Sequence, residues 1–407
     1  MRERALRAIA ECQHIASLSE DTSRLTRRFL TAPTHDVHTH LRNRMEAMGM
    51  TVHTDAVGNL RGLWNPAEAT SKRFILGSHI DTVPDAGSYD GVLGVTIALE
   101  LLDLARERAL PLPIEVIAFS EEEGVRFGVP FLGSRAVAGR FDPALLALKD
   151  ADSISLEGAI RAYGLDPQQI PRAAIEDETL GFLEIHIEQG PVLETEGLSV
   201  AAVTGIVGQS RLNLEFAGQA NHAGTTPMQL RRDALAGAAE WIGVVEARTR
   251  ASKDLVATVG RIEVTPNANN VIAGTARVSL DVRHPHDAQR IGAVNEILES
   301  ADRIAERRKL ALQCTPQLDQ PAVPMDERLT AYMTDALASA GFPTRQMSSG
   351  AGHDAMVMAG RMPTTMLFLR SPGGISHSPA EAVRDEDVEA ALEVSYRFLE
   401  RLAAEVR

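Results

Sequence analysis

The spacing of hydrophobic positions in the first half of the chain predicts strands that alternate with helices. Strand patterns cover 51–53, 74–76 and 114–119, and the last two have the apolar character of buried strands. The stretches 34–48 and 91–106 show the longer period of helices. This alternation indicates an α/β structure in which helices pack on a sheet.

In the middle of the chain the hydrophobic pattern changes to the period of two that is typical of half-buried strands. Strands are predicted within 211–216, 256–264 and 277–282, and helices within 232–249 and 287–307. Two helices on one face of an antiparallel sheet would form a small α+β domain, because such a sheet buries only one of its faces.

The α/β pattern returns towards the C-terminal end, where a helix begins near Asp326 and an apolar strand covers 364–369. We therefore predict one α/β domain, with a mixed sheet between helices, that is formed by residues 1–210 and 318–407. The α+β domain is predicted to be inserted between these two parts, over residues 211–317.

Charge and composition exclude several classes of protein. The formal net charge of -14 argues against a nucleic-acid surface, because such a surface needs a basic patch. No stretch approaches the roughly 18 apolar residues that a membrane span requires, and the N-terminal segment lacks a signal-type apolar core. Cys12 and Cys314 are too far apart to indicate a disulfide framework or a zinc–thiolate site. We expect a cytoplasmic protein without nucleic-acid or membrane partners.

Imidazole and carboxylate side chains follow the two buried strands. His79 and Asp81 come after the first strand, Asp90 follows them, and Glu121–Glu123 come directly after the second strand. Open α/β sheets place their active sites at such strand ends. Because buried polar groups are costly unless something compensates them, and divalent metal ions would do so, the pattern indicates a metal-dependent hydrolase.

Five side chains beside apolar strands are the candidate metal ligands. They are His79, Asp90, Glu123, His186 and His377. Asp81 is placed to orient the imidazole of His79. Any one of these side chains alone is more typical of a hydrogen-bonded or surface residue, so the metal hypothesis rests on their conjunction.

Seven short segments, in order along the chain, carry a resemblance to a known family. They are 77–83 (GSHIDTV), 90–94 (DGVLG), 122–127 (EEGVRF), 186–190 (HIEQG), 221–228 (NHAGTTPM), 350–355 (GAGHDA) and 376–379 (SHSP). The chain resembles the di-metal amidohydrolases of the aminoacylase/carboxypeptidase clan, and within that clan the hydantoinase/carbamoylase branch. The resemblance implies a di-metal exopeptidase-like catalytic domain that carries an inserted lid and dimerisation domain.

The resemblance also implies two divalent metal ions per subunit, either Zn or one of Mn, Co and Ni. His79 and His186 would bind one ion and His377 and Glu123 the other, with Asp90 shared, although the sequence leaves open which histidine pairs with which ion.

The resemblance implies that the general base comes from the acidic triplet 121–123. The Gly-x-Arg-Phe segment places the functional pair directly before Gly124, so Glu122 becomes the base, Glu123 the ligand, and Glu121 a neighbour without a chemical role.

The function that the resemblance implies is hydrolysis of the ureido C–N bond of allantoate or of an N-carbamoyl-L-amino acid, with release of ammonia and carbon dioxide. His222 would stabilise the oxyanion, and Arg283 would bind the substrate carboxylate through two parallel hydrogen bonds. Gln189, Asn270 and His353 would be further substrate contacts. The resemblance also implies a homodimer whose inserted domain closes over the site, with lid residues that act either within one subunit or across the dimer.

Three alternatives differ in how well the residues support them. An N-carbamoyl-β-alanine hydrolase and an aminoacylase or dipeptidase of the same clan are the enzyme alternatives, and the segments 122–127 and 222–227 favour the carbamoylase branch over the aminoacylase or dipeptidase. A catalytically inactive binding protein would lack a ligand or the base, and the sequence lacks neither.

Two features depart from this pattern. Ala273 stands where the branch often has proline, which should alter the stiffness of a turn more than the chemistry. The segment 35–40 has the His-x-His spacing of barrel amidohydrolases, but it lies in a helical stretch without a barrel pattern, and we predict that it is a solvated helix face.

Overall fold

The computed structural model describes residues 1–66, 72–176 and 178–405, and these residues form two compact units. Unit 1 comprises Met1–Thr204 and Pro324–Arg407, and unit 2 comprises Gly205–Val323. In the described part of the chain, no helix combines the length and the apolar character that crossing a bilayer would require.

The strands and helices are numbered along the chain. The strands are β1 Thr51–Thr54, β2 Leu60–Trp64, β3 Phe74–His79, β4 Ile114–Phe119, β5 Gly181–Ile187, β6 Val200–Ile206, β7 Gly208–Ala217, β8 Asn221–His222, β9 Val256–Thr258, β10 Ile262–Thr265, β11 Val271–Ile272, β12 Thr275–His284, β13 Ala311–Gln320, β14 Val323–Pro324, β15 Gln346–Ser349 and β16 Thr364–Leu369. The α-helices are α1 Arg2–Ala16, α2 Ala32–Ala47, α3 Val92–Glu107, α4 Leu132–Val137, α5 Leu156–Ala162, α6 Val192–Glu196, α7 Ala234–Arg250, α8 Asp287–Arg308, α9 Glu327–Ser339, α10 Asp354–Met358 and α11 Asp385–Glu405.

Unit 1 is built on a nine-stranded sheet with the order β1-β2-β4-β3-β5-β16-β6-β14, in which β15 also pairs with β6. The central strands β4, β3, β5 and β16 are parallel, whereas β2 and β6 pair antiparallel to their neighbours. All residues of the four parallel strands are buried, as expected for a sheet covered by helices on both faces. The predicted α/β class with a mixed sheet is confirmed.

The helix α3 is the apolar centre of unit 1. Thirteen of its residues are buried, and it contacts β3, β5, α1 and α11. A Cβ atom at Gly94 would overlap the backbone oxygen of Ile185, so only glycine lets the helix approach β5 this closely. This close packing fixes the start of α3, and hence the position of the Asp90–Gly91 turn before it.

Unit 2 contains an antiparallel five-stranded sheet with the order β10-β12-β7-β13, in which β9 also pairs with β12. Buried residues alternate along β7 and β12, and α7 and α8 pack on this sheet. The antiparallel sheet with two helices is as predicted. Unit 2 begins before 211 and ends after 317, because the paired strands β7 and β13 extend beyond these two positions.

Two details of the prediction are wrong. The predicted strand at 256–264 is two separate strands, β9 and β10. The segment 35–40 is not a fully solvated helix face, because His38 is only 6% exposed and its Nδ1 lies 3.0 Å from Tyr163 Oη. His38 lies on the buried face of α2 with Val37, Leu41 and Met45, so helical spacing explains its burial.

Candidate metal centre

The candidate ligands converge because three parallel strands end at the same edge of the sheet. β3 ends at His79, which is in register with Phe119 at the end of β4, and Glu121–Glu123 follow β4 directly. β5, which is parallel to β3, carries His186 close to its own end. The polar side chains that the sequence places after separate strands are therefore brought together.

The first group of ligand atoms is buried and surrounds one oxygen of Asp90. Asp90 Oδ1 lies 3.2 Å from His186 Nε2 and 3.4 Å from His79 Nε2, and the two Nε2 atoms are 3.5 Å apart. All three residues are at most 4% exposed. The group has the separation and the mixture of imidazole and carboxylate that a divalent metal ion requires.

The backbone fixes both histidines with Nε2 directed into this group. Nδ1 of His79 lies 3.0 Å from the carbonyl oxygen of Asp81, and Nδ1 of His186 lies 2.9 Å from the carbonyl oxygen of Ile187. A carbonyl oxygen can only accept a hydrogen bond, so each Nδ1 carries a hydrogen, and Nε2 is the nitrogen that remains to bind a metal ion. This is the usual arrangement of a metal-binding histidine.

Asp81 orients this region in two ways. Nδ1 of His79 lies 3.0 Å from the carbonyl oxygen of Asp81 and 3.4 Å from its carboxylate Oδ1, so the carbonyl oxygen is the closer partner. The carboxylate accepts hydrogen bonds from the backbone N–H groups of Glu122 and Glu123, at 3.0 and 3.2 Å. Asp81 therefore connects the end of β3 to the acidic segment after β4.

Gly91 gives His79 the space that it occupies. The residue has a φ of 67°, and a Cβ atom there would lie 2.5 Å from atoms of the His79 ring. Any other residue would therefore combine backbone strain with a clash against a candidate ligand.

The second group of ligand atoms surrounds the other oxygen of Asp90. His377 Nε2 lies 3.5 Å from Asp90 Oδ2 and 3.6 Å from Glu123 Oε1. The side chain of His377 is 49% exposed, and its backbone has a φ of 55°. Each oxygen of Asp90 thus faces a different group of candidate ligands.

The residues present fit a pair of divalent cations. Asp90 Oδ1 is buried and accepts no hydrogen bond within residues 1–66, 72–176 and 178–405, although a buried carboxylate oxygen needs a partner. Burial, together with the negative charges of Asp90 and Asp81, raises the pKa of Glu123 to about 8. Such an accumulation of buried carboxylates is what bound cations compensate.

The imidazoles partly compensate these carboxylates. Burial lowers the pKa of His79, but Asp81 and Asp90 beside it outweigh burial and hold that pKa well above its usual value. Burial acts against ionisation of Asp90, but His186 and His79 hold the pKa of Asp90 well below its usual value. Protons on these imidazoles must leave when a metal ion binds, so binding will release protons.

Glu122 is a buried carboxylate beside the candidate ligands. It is 8% exposed and belongs with His79 and Glu123 to a third group of closely spaced ligand atoms. Burial raises the pKa of Glu122 well above its usual value, and the charges of Glu123 and Asp354 act in the same direction. Glu121 is fully buried, and its Oε1 accepts a hydrogen bond from the N–H of Gly124, so it closes the acidic turn.

Two predicted substrate contacts lie in unit 1. Gln189 donates a hydrogen bond from Nε2 to Asp90 Oδ2 at 2.8 Å, and its backbone has a φ of 59°. His353 is 1% exposed, its Nε2 lies 2.9 Å from Ser349 Oγ, and its ring packs against that of His186 at 4.5 Å. Both residues therefore border the ligand groups, and their roles in substrate binding stay predictions.

The other three predicted residues lie in unit 2. His222 and Asn270 are neighbours there, because β8 pairs with β11 and the N–H of Ala223 donates to the carbonyl oxygen of Asn270 at 3.0 Å. Nδ1 of His222 accepts a hydrogen bond from the N–H of Gly224 at 3.0 Å, which leaves Nε2 to carry the hydrogen. Arg283 lies near the end of β12, and Asp281 holds its guanidinium through two hydrogen bonds of 2.8 and 3.0 Å.

Sequence reasoning missed four polar residues around the ligands. Glu184 accepts hydrogen bonds from Ser78 Oγ and from the N–H of Ala355, at 2.9 and 2.8 Å. The others are Asp354, Ser376 and Glu381. A charged residue within an apolar strand was the available signal for Glu184, since β5 is otherwise almost entirely apolar.

Comparisons with known proteins show which proteins this chain resembles. The sequence model of the peptidase family M20/M25/M40 matches residues 75–401. Allantoate deiminase of Arabidopsis thaliana is 36% identical over 438 aligned positions that cover 97% of this chain and 81% of that protein. N-carbamoyl-L-amino acid amidohydrolase of Geobacillus stearothermophilus is 38% identical and the match covers 93% of each chain. The crystal structure of an amidase of the hydantoinase/carbamoylase family from Burkholderia multivorans superposes with a TM-score of 0.92, at 30% identity and 98% coverage of both chains.

The shared position of Asp90 leads to a prediction about metal content. His186→Ala and His377→Ala each remove a ligand from one group only, so each variant should retain about one ion per chain. Asp90→Ala removes a ligand from both groups and should retain almost none. Elemental analysis after dialysis against a defined zinc concentration measures this difference. Equal metal content in the three variants would mean that Asp90 does not join two groups.

Proposed function

The chain belongs to the peptidase M20/M25/M40 family, and we propose that it is a di-metal amidohydrolase that cleaves the ureido C–N bond of allantoate or of an N-carbamoyl-L-amino acid. The single observation that carries the proposal is the division of the Asp90 carboxylate between two ligand groups, beside the buried carboxylate of Glu122. The names of the related proteins support the ureido group as the target.

Two ions would be held by the residues of these groups. We propose His79, His186 and one oxygen of Asp90 for the first ion, and His377, Glu123 and the other oxygen of Asp90 for the second. Bound Zn, Mn, Co or Ni would supply Lewis acidity, which polarises the substrate carbonyl and lowers the pKa of water. The ligand set of nitrogen and oxygen atoms suits all four metals, so it does not select one.

Glu122 is proposed to transfer the proton of the reaction. Its carboxylate takes a proton from the water that attacks the ureido carbonyl, and the C–N bond breaks as Glu122 returns this proton to the leaving nitrogen. The carbamate that results decomposes to ammonia and carbon dioxide. A carboxylate with a raised pKa suits this exchange, because it must bind the proton during one step and release it in the next.

Substrate binding is assigned to residues of both units by the family resemblance. His222 is proposed to donate a hydrogen bond from Nε2 to the developing oxyanion, in keeping with the acceptor role of its Nδ1. Arg283 is proposed to bind the substrate carboxylate, with Asp281 holding its guanidinium in a fixed orientation. Asn270, Gln189 and His353 are proposed as further contacts.

Unit 2 is proposed to act as the lid and as the dimerisation domain of a cytoplasmic homodimer. This part of the proposal rests on the family resemblance. Hydrolysis of N-carbamoyl-β-alanine, or of an acyl amide by an aminoacylase or dipeptidase activity, is the alternative use of the same catalytic residues.

The proposed function leads to a prediction about the substrate. Ammonia should be released from allantoate or from N-carbamoyl-L-amino acids when the dialysed protein is supplied with Zn, Mn, Co or Ni. N-carbamoyl-β-alanine and N-acetyl amino acids should react poorly by comparison, and the chelated protein serves as the control for metal dependence. Activity confined to the N-acetyl compounds, measured as release of the free amino acid, would overturn the ureido assignment.

The second prediction separates the roles of Glu122 and Glu123. Glu122→Gln should lower kcat by about 10²–10⁴-fold, since the variant cannot exchange the proton, while its metal content stays near that of the wild type. Glu123→Gln should instead lose metal. Steady-state kinetics and elemental analysis on the same preparations measure both quantities. If Glu122→Gln lost metal and Glu123→Gln kept it, the assignment of base and ligand would have to be exchanged.

A further inference from the structure

The side chain of Glu381, which lies just after His377, forms hydrogen bonds with the turn that carries Asp90. Glu381 is 7% exposed, and its Oε1 accepts hydrogen bonds from the backbone N–H groups of Tyr89 and Asp90, at 2.8 and 3.0 Å. A Cβ atom at Gly87 would overlap the side chain of Glu381, so glycine there makes room for this contact. Glu381 therefore holds the backbone of the bridging residue.

The turn that carries His377 also holds the side chain of Asp90. Ser376 Oγ donates a hydrogen bond to Asp90 Oδ2 at 2.6 Å, and Ser376 Oγ lies 3.5 Å from Glu381 Oε2. The N–H of Glu381 donates to the carbonyl oxygen of Ser378 at 3.0 Å, which closes the turn that directly follows His377. Asp90 is thus held at its N–H and at its carboxylate by two residues on either side of His377.

His377 needs such an anchor more than the other two histidines do. His79 and His186 belong to buried strands, whereas His377 lies in a turn, is half exposed and has a positive φ. The contacts of Glu381 and Ser376 with the Asp90 turn hold this ligand near Glu123 and Asp90. Without them, the distance between His377 and Asp90 would depend on an exposed turn.

We infer that Glu381 is a positioning residue for the second metal ion, because it ties the His377 turn to the backbone of Asp90. The inference rests on the proposed di-metal function. Glu381 is not among the residues proposed to bind an ion or the substrate. Glu381 acts through Asp90 and His377, so its loss should weaken the second ion selectively and leave the first ion in place.

A second buried glutamate provides a matched control. Glu188 is 8% exposed, and its carboxylate also accepts hydrogen bonds from two backbone N–H groups, those of Val192 and Leu193, at 2.7 and 2.8 Å. These groups belong to the start of α6 and not to the turns that carry the ligands. Glu188→Ala therefore reproduces the loss of a buried glutamate with two amide donors without untying His377 from Asp90.

The experiment measures zinc retention during dialysis of the metal-loaded full chain against a series of chelator concentrations. Glu381→Ala should raise the dissociation constant of the more weakly bound ion by about 10–100-fold, and should leave that of the other ion unchanged. Glu381→Gln keeps an oxygen for the two N–H groups and should retain both ions. Glu188→Ala should also retain both, even where its melting temperature falls as far as that of Glu381→Ala.

Glu381→Asp keeps the charge but has a side chain too short to reach the two N–H groups. It replaces Glu381→Ala if the alanine variant does not fold, and it should also bind the second ion more weakly. If folded Glu381→Ala or Glu381→Asp binds both zinc ions as tightly as the wild type, or loses both ions equally, the inference is overturned and the proposed function is not. A wild-type chain that never holds a second ion would overturn the proposed function together with the inference.

Discussion

The arrangement of the candidate ligands depends on the position of the Asp90 carboxylate. Its two oxygens face different ligand groups, with His79 and His186 on one side and His377 and Glu123 on the other. Four separate segments of the chain must therefore meet at one residue. The close packing of α3 against β5, which Gly94 permits, fixes the turn that presents Asp90 to all of them.

Burial gives this arrangement its chemistry. The carboxylate and imidazole atoms of each ligand group lie within 4.8 Å of one another at the edge of a parallel sheet, and all of these side chains except the half-exposed His377 are largely removed from water. Taken alone, such a cluster destabilises the fold, because burial opposes ionisation of every carboxylate in it. Bound cations would offset this cost, and the same burial raises the pKa of Glu122 well above its usual value.

The sequence predicted those parts of the structure that local pattern determines. The strands Ile114–Phe119 and Thr364–Leu369 are found at the predicted residues, because continuous apolar runs of this length are typical of buried strands. Helical spacing places His38 on the same face of α2 as Leu41 and Met45, but the sequence does not show that Tyr163, from a distant segment, contacts it. Glu381 was missed for a related reason: its partners at Asp90 are separated from it by 291 residues, and only the fold brings them together.

The most direct test of this account is the position of the metal ions relative to Asp90. Diffraction data from crystals of the zinc-loaded protein, collected on both sides of the zinc absorption edge, locate each ion by its anomalous scattering. We expect two zinc peaks per chain. One ion should be bound by Asp90 Oδ1 with His79 and His186, and the other by Asp90 Oδ2 with Glu123 and His377. A single peak, or an Asp90 that binds through only one of its oxygens, would contradict this account.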